Sequence, residues 1–250
     1  MRPVPRGHGV NLARLFAGQE ATWPPAARHI AGPWSLRDGQ GGGKRVSAAT
    51  LDGAFDPAAV AEAEAGMRAL GQAPLFMVRP DETALDADLA ARGYAVVDPV
   101  TILSGAVADL AAEPPPPVSA FTLWEPLAIM DELWAENGIG PARRAVMARV
   151  QGPKTAILGR RKDRAAGVAF AALDRDMAFV HAVAVSPEHR RQGTAVNMMR
   201  AAAQWAQDQG ATSLNVLVTD HNHAARALYA SLNMTDVGQY HYRTIAPQKA

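Results

Sequence analysis

A short loop of charged and small residues separates an apolar strand from a helix near the C-terminal end of the chain. Its residues are, in order, Arg190, Arg191, Gln192, Gly193, Thr194 and Ala195. Backbone N–H groups at the start of a helix have no helical partner and lie at the positive end of the helix dipole. Gly193 has no Cβ, so a ligand can approach the backbone there. The small side chain of Ala195 leaves space beside the first turn of the helix. The loop is therefore a candidate site for an anion such as a pyrophosphate.

A second motif lies in the segment 222–234. Asn222 is a candidate N-cap for a helix over 223–232, and Tyr229 lies within that helix. In this order, the two motifs resemble the coenzyme-A site of the GNAT superfamily of N-acyltransferases, and the resemblance covers residues 118–245. It implies acetyl-CoA as co-substrate, no metal, and acetyl transfer to the primary amine of a small molecule or amino-acid-like compound. A coenzyme-A-binding regulatory or interaction module without turnover is the alternative.

The resemblance also implies roles for individual residues. The N–H groups of 191–195 would anchor the phosphates, and the arginines of the loop would add positive charge there. Val183 and Val185, on the strand before the loop, would act through their main chain, because a bulge in GNAT proteins separates this strand from the next. Tyr229 would be the acid that reaches the coenzyme sulfur, and a core tyrosine that packs on the sheet is the alternative. Asn222 would contact the pantetheine arm, although its role as a helix cap also explains it.

The general base is harder to assign. A period of two places Phe179, His181, Val183 and Val185 on one face of a strand. Many GNAT enzymes use a carboxylate on this strand, and Phe179 stands at about that position. His181 is the candidate base, since an imidazole titrates near pH ~6.5. A structural histidine, or a water relay in place of a side-chain base, remains open.

Aromatic residues suggest where the acceptor would bind. We expect contacts from the segment 134–141, where Trp134 offers an aromatic wall, and from Tyr240 and Tyr242. Glu136 could pair with an ammonium, but a position on the helix surface explains it better. His221 and His223 flank Asn222 without a further ligand at metal spacing, so no metal site is predicted.

The hydrophobic pattern predicts an α+β fold with a mixed sheet in the second half of the chain. The predicted helices cover 126–136, 141–150, 194–209 and 223–232. The predicted strands cover 155–160, 167–173, 177–185, 214–218 and 238–244.

Four consecutive prolines in the segment 113–117 predict an extended linker between two domains, over 1–112 and 118–250. The first half resembles a degraded copy of the GNAT unit, which predicts two such domains in tandem. Its predicted elements are strands at 45–51, 75–78 and 95–103 and helices at 57–70 and 85–92. Leu89 falls opposite Tyr229. Asp52 and Asp56 stand where a pyrophosphate would bind, and they would repel it.

Composition limits the remaining functions. The 250 residues carry a net charge of +1 and no cysteine, so neither nucleic-acid binding nor a disulfide or thiolate metal site is expected. The sequence lacks an apolar run of the ~20 residues that cross a membrane, and Met1–His8 has no apolar signal-peptide core. We therefore expect a cytoplasmic protein, acting as a monomer or homodimer with no membrane partner.

Overall fold

A computed structural model describes residues 11–245 of the chain. Its helices are α1 Leu12–Thr22, α2 Val60–Ala69, α3 Thr83–Ala91, α4 Val107–Ala111, α5 Ala128–Glu136, α6 Pro141–Arg149, α7 Thr194–Asp208 and α8 His223–Ser231. Its strands are β1 Ala27–Ala31, β2 Trp34–Asp38, β3 Thr50–Leu51, β4 Leu75–Val78, β5 Ala95–Ala106, β6 Ala120–Leu123, β7 Lys154–Arg161, β8 Arg164–Asp174, β9 Met177–Val185, β10 Ser213–Thr219 and β11 Thr235–Thr244. The segment Met1–His8 lies outside the described residues.

Eight strands form one mixed sheet in the order β4-β11-β5-β10-β9-β8-β7-β6, and β1 to β3 form a separate antiparallel meander. Strands β6 to β9 are antiparallel neighbours, whereas β9 and β10 run parallel. A parallel pair needs a crossover connection, and α7 supplies it. The mixed α/β fold predicted for the second half of the chain is confirmed.

Helix α7 packs along one face of the large sheet. Met198 and Met199 are fully buried there, together with alanines further along the helix. Two glycines of the sheet permit this close approach: a Cβ on Gly159 would lie 2.8 Å from the Met198 sulfur, and one on Gly167 would lie 3.1 Å from its methyl carbon. The N-terminus of α7 is thereby held against the strands at the point where β9 ends.

An internal repeat relates the two sides of the sheet. Val78 of β4 pairs with His241 of β11, and Val218 of β10 pairs with Thr101 of β5. The spacing along the chain from Val78 to Val218 equals the spacing from Thr101 to His241, and helices α3 and α8 are offset by this same spacing at both ends. The segments 75–104 and 215–244 therefore repeat each other in structure, in the alignment that places Leu89 opposite Tyr229.

The repeated segments are interlaced within the sheet. Strand β5 lies between β10 and β11, and β11 lies between β4 and β5. Val100 and Tyr240, which occupy the same position in the two repeats, are direct partners across the central strand pair. Each half of the chain therefore depends on the other for the backbone hydrogen bonds of its last strand. The domain division at 113–117 stays a prediction.

The strand predicted over 45–51 is wrong for most of its length. Residues Lys44–Val46 form a 3-10 turn, and only Thr50–Leu51 is a strand. The N–H groups of Ser47 and Ala48 both donate to the carbonyl of Lys44, which closes the turn. Val46 and Ala48 are fully buried two positions apart, and this burial imitates the alternation of a strand.

Among residues 11–245, none of the helices combines the length and the apolar character needed to cross a membrane. Within the same residues there is no cluster of three or more histidine, cysteine, aspartate or glutamate side chains that could hold a metal ion.

Candidate active site

Strands β9 and β10 separate partway along their length. Their parallel pairing joins Met177–Val180 to Ser213–Val216 and stops there, although both strands continue. Beyond this point the register between β9 and β8 shifts, and Ala182 has a positive φ of 51°. An extra residue in one strand is a β-bulge, which bends that strand away from its neighbour. A gap with unpaired main-chain groups follows.

The bulge reverses the alternation of side chains along β9. The rings of Phe179 and His181 stack at 6.1 Å on the face covered by α1. Val183 and Val185 pack on the opposite face, with the cluster around α7. The prediction that these four residues share one face is therefore wrong, because the extra residue at Ala182 changes the phase of the strand.

The main-chain groups of Val183 and Val185 point into the gap. The Ser186 N–H donates to Ala166 of β8 at 3.0 Å. Because N–H groups alternate between the two edges of a strand, those of Val185 and Val183 point away from β8. The Arg190 Nε donates to the Val185 carbonyl at 3.1 Å, on the same edge. The N–H groups of both valines are therefore available to a ligand in the gap.

The loop after β9 presents a row of free N–H groups. Within residues 11–245, the backbone N–H groups of 191–196 donate to no protein acceptor. The first N–H of α7 with a helical partner is that of Asn197, which donates to the Gly193 carbonyl at 3.0 Å. Arg191 and Gly193 have positive φ of 60° and 83°, and alternation of left- and right-handed residues forms a concave nest of N–H groups. This nest at the N-terminus of a helix suits an anion.

The side chains of the loop leave this nest open. Arg190, Arg191 and Gln192 are exposed, and the Gln192 amide donates to the Glu188 carbonyl at 2.8 Å. A Cβ on Gly193 would meet nothing within 4 Å. The remaining loop residues are structural: Thr194 is buried, and Ala195 packs against the cluster under α7.

The corresponding turn of the first half has no such nest. Asp56 accepts the N–H of Ala58 at 2.9 Å, so its carboxylate caps the helical turn that leads into α2. Asp52 accepts hydrogen bonds from Ser35 and from Arg28. These hydrogen bonds stabilise the two carboxylates. Both side chains keep their negative charge near the start of α2, where they would repel a phosphate.

Tyr229 lies on α8, with its ring in the cluster that α7 forms with the sheet. Burial raises the pKa of its phenol to about 12. Among the hydrogen bonds of residues 11–245, none involves the Tyr229 hydroxyl. This hydroxyl is not fully enclosed, so it can bind a ligand or water on the α7 side of the sheet.

Asn222 has a helix-capping role in this structure. Its side-chain oxygen accepts the N–H of Ala225 at 3.1 Å, which satisfies one of the free donors at the start of α8. Its contact with the pantetheine arm stays a prediction.

His181 is held by hydrogen bonds at both ring nitrogens. Its Nε2 lies 3.0 Å from the hydroxyl of Thr22, and that hydroxyl donates to the Gly18 carbonyl. Its Nδ1 lies 3.0 Å from Nη1 of Arg45, which can only donate. Burial, and then the positive charge of Arg45, lower the pKa of the imidazole well below its usual value. The ring is therefore neutral, with its lone pair directed at Arg45 and its proton at Thr22.

A cavity of about 210 Å³ lies on the face of the sheet opposite α7, against the bulge and the far part of β10. Its lining residues are Trp23, Gly42, Gly43, Lys44, Arg45, Asp98, Val100, Arg143, His181, Ala182, Leu217, Thr219, Tyr240 and Tyr242. The gap between β9 and β10 thus has Tyr229 and the loop of residues 190–195, which we call the anion loop, on one side. This cavity, a candidate acceptor site that we call the acceptor pocket, lies on the other side. A larger cavity of about 440 Å³ lies between α3 and β11, and neither the loop nor Tyr229 lines it.

Sequence reasoning found part of this lining. Tyr240 and Tyr242 line the acceptor pocket as expected. Trp134 does not: it is fully buried, and its indole N–H donates to the Ala182 carbonyl at 2.9 Å. Glu136 is exposed and lies outside the pocket. Trp134 therefore supports the bulge, and the segment 134–141 does not line the pocket.

Most of the lining residues that sequence reasoning missed come from the first half of the chain. Trp23, at the end of α1, and Arg45, in the 3-10 turn, form the wall of the acceptor pocket beside His181. A positive φ at Gly41 and Gly43 accompanies the tight turn that brings Arg45 to this wall. The local signal in the sequence is the three glycines at 41–43, because they indicate a turn directly before two basic residues, Lys44 and Arg45.

Comparisons with known proteins agree with this geometry. The sequence model of the Acetyltransferase (GNAT) family matches residues 122–234. An uncharacterized N-acetyltransferase of Bacillus subtilis (strain 168), YobR, is 26% identical over 249 residues, covering 93% of this chain and 96% of that protein. A GCN5-related N-acetyltransferase from Kribbella flavida superimposes with a TM-score of 0.67 at 21% identity, over 95% of this chain and 96% of that one. A tandem GNAT protein from the clavulanic acid biosynthesis pathway superimposes with a TM-score of 0.57 at 14% identity, over 81% and 76% of the two chains.

A parallel strand pair that opens beside a helix N-terminus with free N–H groups is the geometry that the resemblance to coenzyme-A-dependent acyltransferases predicts. The match of the GNAT family model to residues 122–234 and the similarity to the acetyltransferases above support an N-acetyltransferase of GNAT type. The family uses acetyl-CoA as co-substrate, and the residues present fit it. The free N–H groups of 191–196 suit its phosphates, and the open space at Gly193 leaves room for them.

Proposed function

We propose that this protein acetylates the primary amine of a small molecule or amino-acid-like compound, with acetyl-CoA as the donor. The observation that carries this proposal is the gap between β9 and β10, which joins the anion loop on one face to a pocket on the other. A cavity of about 210 Å³ has room for a small acceptor.

The residues of the anion loop would hold the phosphates. N–H groups of 191–196 would donate to the phosphate oxygens, and Arg190 and Arg191 would supply long-range attraction from the exposed rim. The N–H groups of Val183 and Val185 would bind along the gap and polarise the carbonyl of the thioester. Acetyl-CoA supplies the activated acetyl group, while the protein orients it toward the pocket.

Tyr229 would donate a proton to the leaving sulfur. Because its pKa is raised to about 12, the phenol keeps its proton throughout the neutral range and can act as an acid. Its hydroxyl lacks a partner among residues 11–245, so no internal hydrogen bond competes with a ligand. Asn222 would contact the same ligand only if its capping bond to Ala225 breaks or is shared.

The amine must lose a proton before it attacks. We infer that water carries this proton, because the Nδ1 lone pair of His181 already accepts from Arg45 and the low pKa makes the imidazole a weak base. The predicted role of His181 as general base would require Arg45 to move away first.

We also propose that residues 1–112 are a degenerate GNAT unit. Meander, helix, strand, helix and strand follow each other in β1–β5 as they do in β7–β11. The internal repeat of 75–104 by 215–244 supports this, and so does the superposition on the tandem GNAT protein from the clavulanic acid biosynthesis pathway. The first half would then contribute a wall of the acceptor pocket without binding coenzyme A itself.

Calorimetric titration with acetyl-CoA, followed by thiol release with a panel of primary amines, tests the proposed function. We expect saturable one-site binding, and thiol release that depends on a small amine and yields its N-acetyl product by mass spectrometry. Binding without release from any small amine would contradict the proposed acceptor class. An absence of binding would contradict the assignment of the loop.

A further inference from the structure

Arg45 is a cation in the acceptor pocket without an acidic partner. Its Nη1 is bonded to the neutral His181, its Nε is enclosed without an acceptor, and its Nη2 has no protein partner among residues 11–245. No carboxylate of the described residues lies within ion-pairing distance of it. Arg45 is half-buried, and partial burial of a guanidinium without a counter-ion is unfavourable, so no ion pair within the protein accounts for its position.

Arg37 shows how this fold accommodates an arginine that serves structure alone. Its side chain is 6% exposed, and it pairs with Glu20 at 2.6 Å. It also donates to the Ala48 carbonyl at 2.9 Å and to the Thr50 hydroxyl at 3.0 Å. Both terminal nitrogens of Arg37 thus have acceptors, one of which is a carboxylate. Arg45 has one neutral acceptor, which leaves it free for an anion from outside the protein.

The surroundings of Arg45 fix its position. Its guanidinium carbon lies 5.8 Å from the centre of the Trp23 ring, in a cation–π contact. The hydrogen-bond chain from His181 through Thr22 to Gly18 holds the imidazole that accepts from Nη1. A guanidinium held from two sides is pre-organised, so a ligand does not have to order it.

The charge of the pocket favours an anion as well. Lys44, Arg45 and Arg143 line it with Asp98 as the single carboxylate. Asp98 is paired with Lys44 at 2.8 Å, and this leaves the charges of Arg45 and Arg143 uncompensated. Arg143 is exposed, whereas Arg45 is partly enclosed beside the bulge at Ala182.

We propose that the acceptor amine also carries a carboxylate, and that Arg45 binds this carboxylate while His181 and Trp23 position the guanidinium. A planar guanidinium matches a planar carboxylate, and a charged hydrogen bond of this kind is stronger than one between neutral groups. The inference rests on the proposed function, because it names the acceptor class for the same pocket. Amino acids, which carry both groups within a small volume, are the compounds that fit.

Matched pairs of acceptors test this inference. Each of the standard amino acids would be compared with its carboxamide, which lacks the negative charge. Because the amide also has a lower amine pKa, the rates are compared per unprotonated amine. We expect kcat/KM to be at least about tenfold higher for the preferred amino acid than for its amide. Equal rates for acid and amide would overturn the inference and leave the acetyltransferase activity standing.

Variants of Arg45 test whether this residue causes the preference for the amino acid over its amide. Arg45→Met should raise KM for the amino acid by about tenfold or more, with little change in kcat and none in the rate with the amide. Arg45→Lys should keep part of the preference. Arg161→Met, at an exposed arginine at the end of β7, is the matched control and should behave as wild type. An unchanged KM in a folded Arg45→Met protein would exclude Arg45 as the carboxylate ligand.

Binding without turnover separates this inference from the proposed function. The same amino acids are titrated into the wild-type protein and Arg45→Met while tryptophan fluorescence is recorded, since Trp23 stacks beside the site. If no amine releases thiol, Arg45-dependent binding of an amino acid still supports the anion site. If no amino acid binds or reacts, the inference is wrong.

Discussion

The indole N–H of Trp134 donates to the carbonyl of Ala182 at 2.9 Å, at the residue where β9 changes the face of its side chains. Trp134 is fully buried on α5, and Ala182 has a positive φ of 51°. A left-handed residue in a strand costs about 1 kcal/mol or more, so such a conformation persists where surrounding contacts hold it. This bond therefore links the packing of α5 to the gap between β9 and β10.

Gly193 and Gly210 form a matched pair for testing the anion loop. Both glycines have a positive φ, of 83° and 80°, and they lie at the two ends of α7. A Cβ added to either would contact no atom within 4 Å. We expect Gly193→Asp to weaken acetyl-CoA binding by at least about 100-fold, because a carboxylate would repel the phosphates within the nest. Gly210→Asp carries the same backbone strain and should bind as wild type in calorimetry. Similar losses in both variants would mean that strain, not the anion site, lowers the affinity.

Tyr229→Phe tests the proposed acid. We expect kcat to fall at least about tenfold with little change in acetyl-CoA affinity, because only the proton donor is removed. The melting temperature should hardly change, since the hydroxyl has no partner within residues 11–245. Tyr94→Phe is the control with the opposite pattern. Its hydroxyl donates to Glu64 at 2.7 Å, so its loss should lower stability by about 1 kcal/mol and leave kcat unchanged. A normal kcat in Tyr229→Phe would remove Tyr229 from the acid role.

The buried, neutral His181 predicts how stability responds to acid. Its pKa is lowered in the folded state, whereas in the unfolded chain it titrates near ~6.5. Between these two values only the unfolded state binds the proton. Neutral His181 therefore makes its full contribution to the free energy of unfolding above pH ~6.5. This contribution is lost as the pH falls toward the pKa of the folded state, and the free energy of unfolding then decreases by up to ~1.4 kcal/mol per pH unit.

Urea unfolding between pH 7.5 and 5 measures this dependence. We expect a smaller loss of stability on acidification in His181→Gln than in the wild-type protein. His221→Gln, at an exposed histidine, should keep the wild-type slope. An unchanged slope in His181→Gln would contradict the buried neutral state. The kcat of His181→Gln adds a second test, since a fall of about 100-fold with a shifted pH profile would restore His181 as the base.

The interlaced strands predict that neither half of the chain folds alone. Without β5, both β10 and β11 lose a neighbour, and their N–H and C=O groups would face solvent at new sheet edges. We expect separately produced 1–112 and 118–250 to lack a cooperative thermal transition in circular dichroism. The full chain cut at a protease site inserted within 113–117 is the control, and it should keep its transition. A cooperative transition in either fragment would show that this half does not need the shared strands.

The sequence predicted most elements of the second half because each has a strong local signal. Strand β9, the loop with Gly193 and helix α7 follow one another along the chain. Each has a hydrophobic pattern that is typical of its secondary structure and does not depend on distant contacts. The first half was predicted less well. Residues 12–38 contain a helix and two strands that we did not predict, and Lys44–Val46 forms a turn where a strand was expected.

The anion loop and Tyr229 follow from the sequence by itself, because a helix start and a helix face are local properties of the chain. The change of face along β9 does not, since the bulge at Ala182 depends on the register with β8 and on the indole of Trp134. The placement of Arg45 beside His181, far away in sequence, is likewise decided by the tertiary structure. Contacts between distant segments are set by packing and sheet pairing, and local residue patterns carry no record of them.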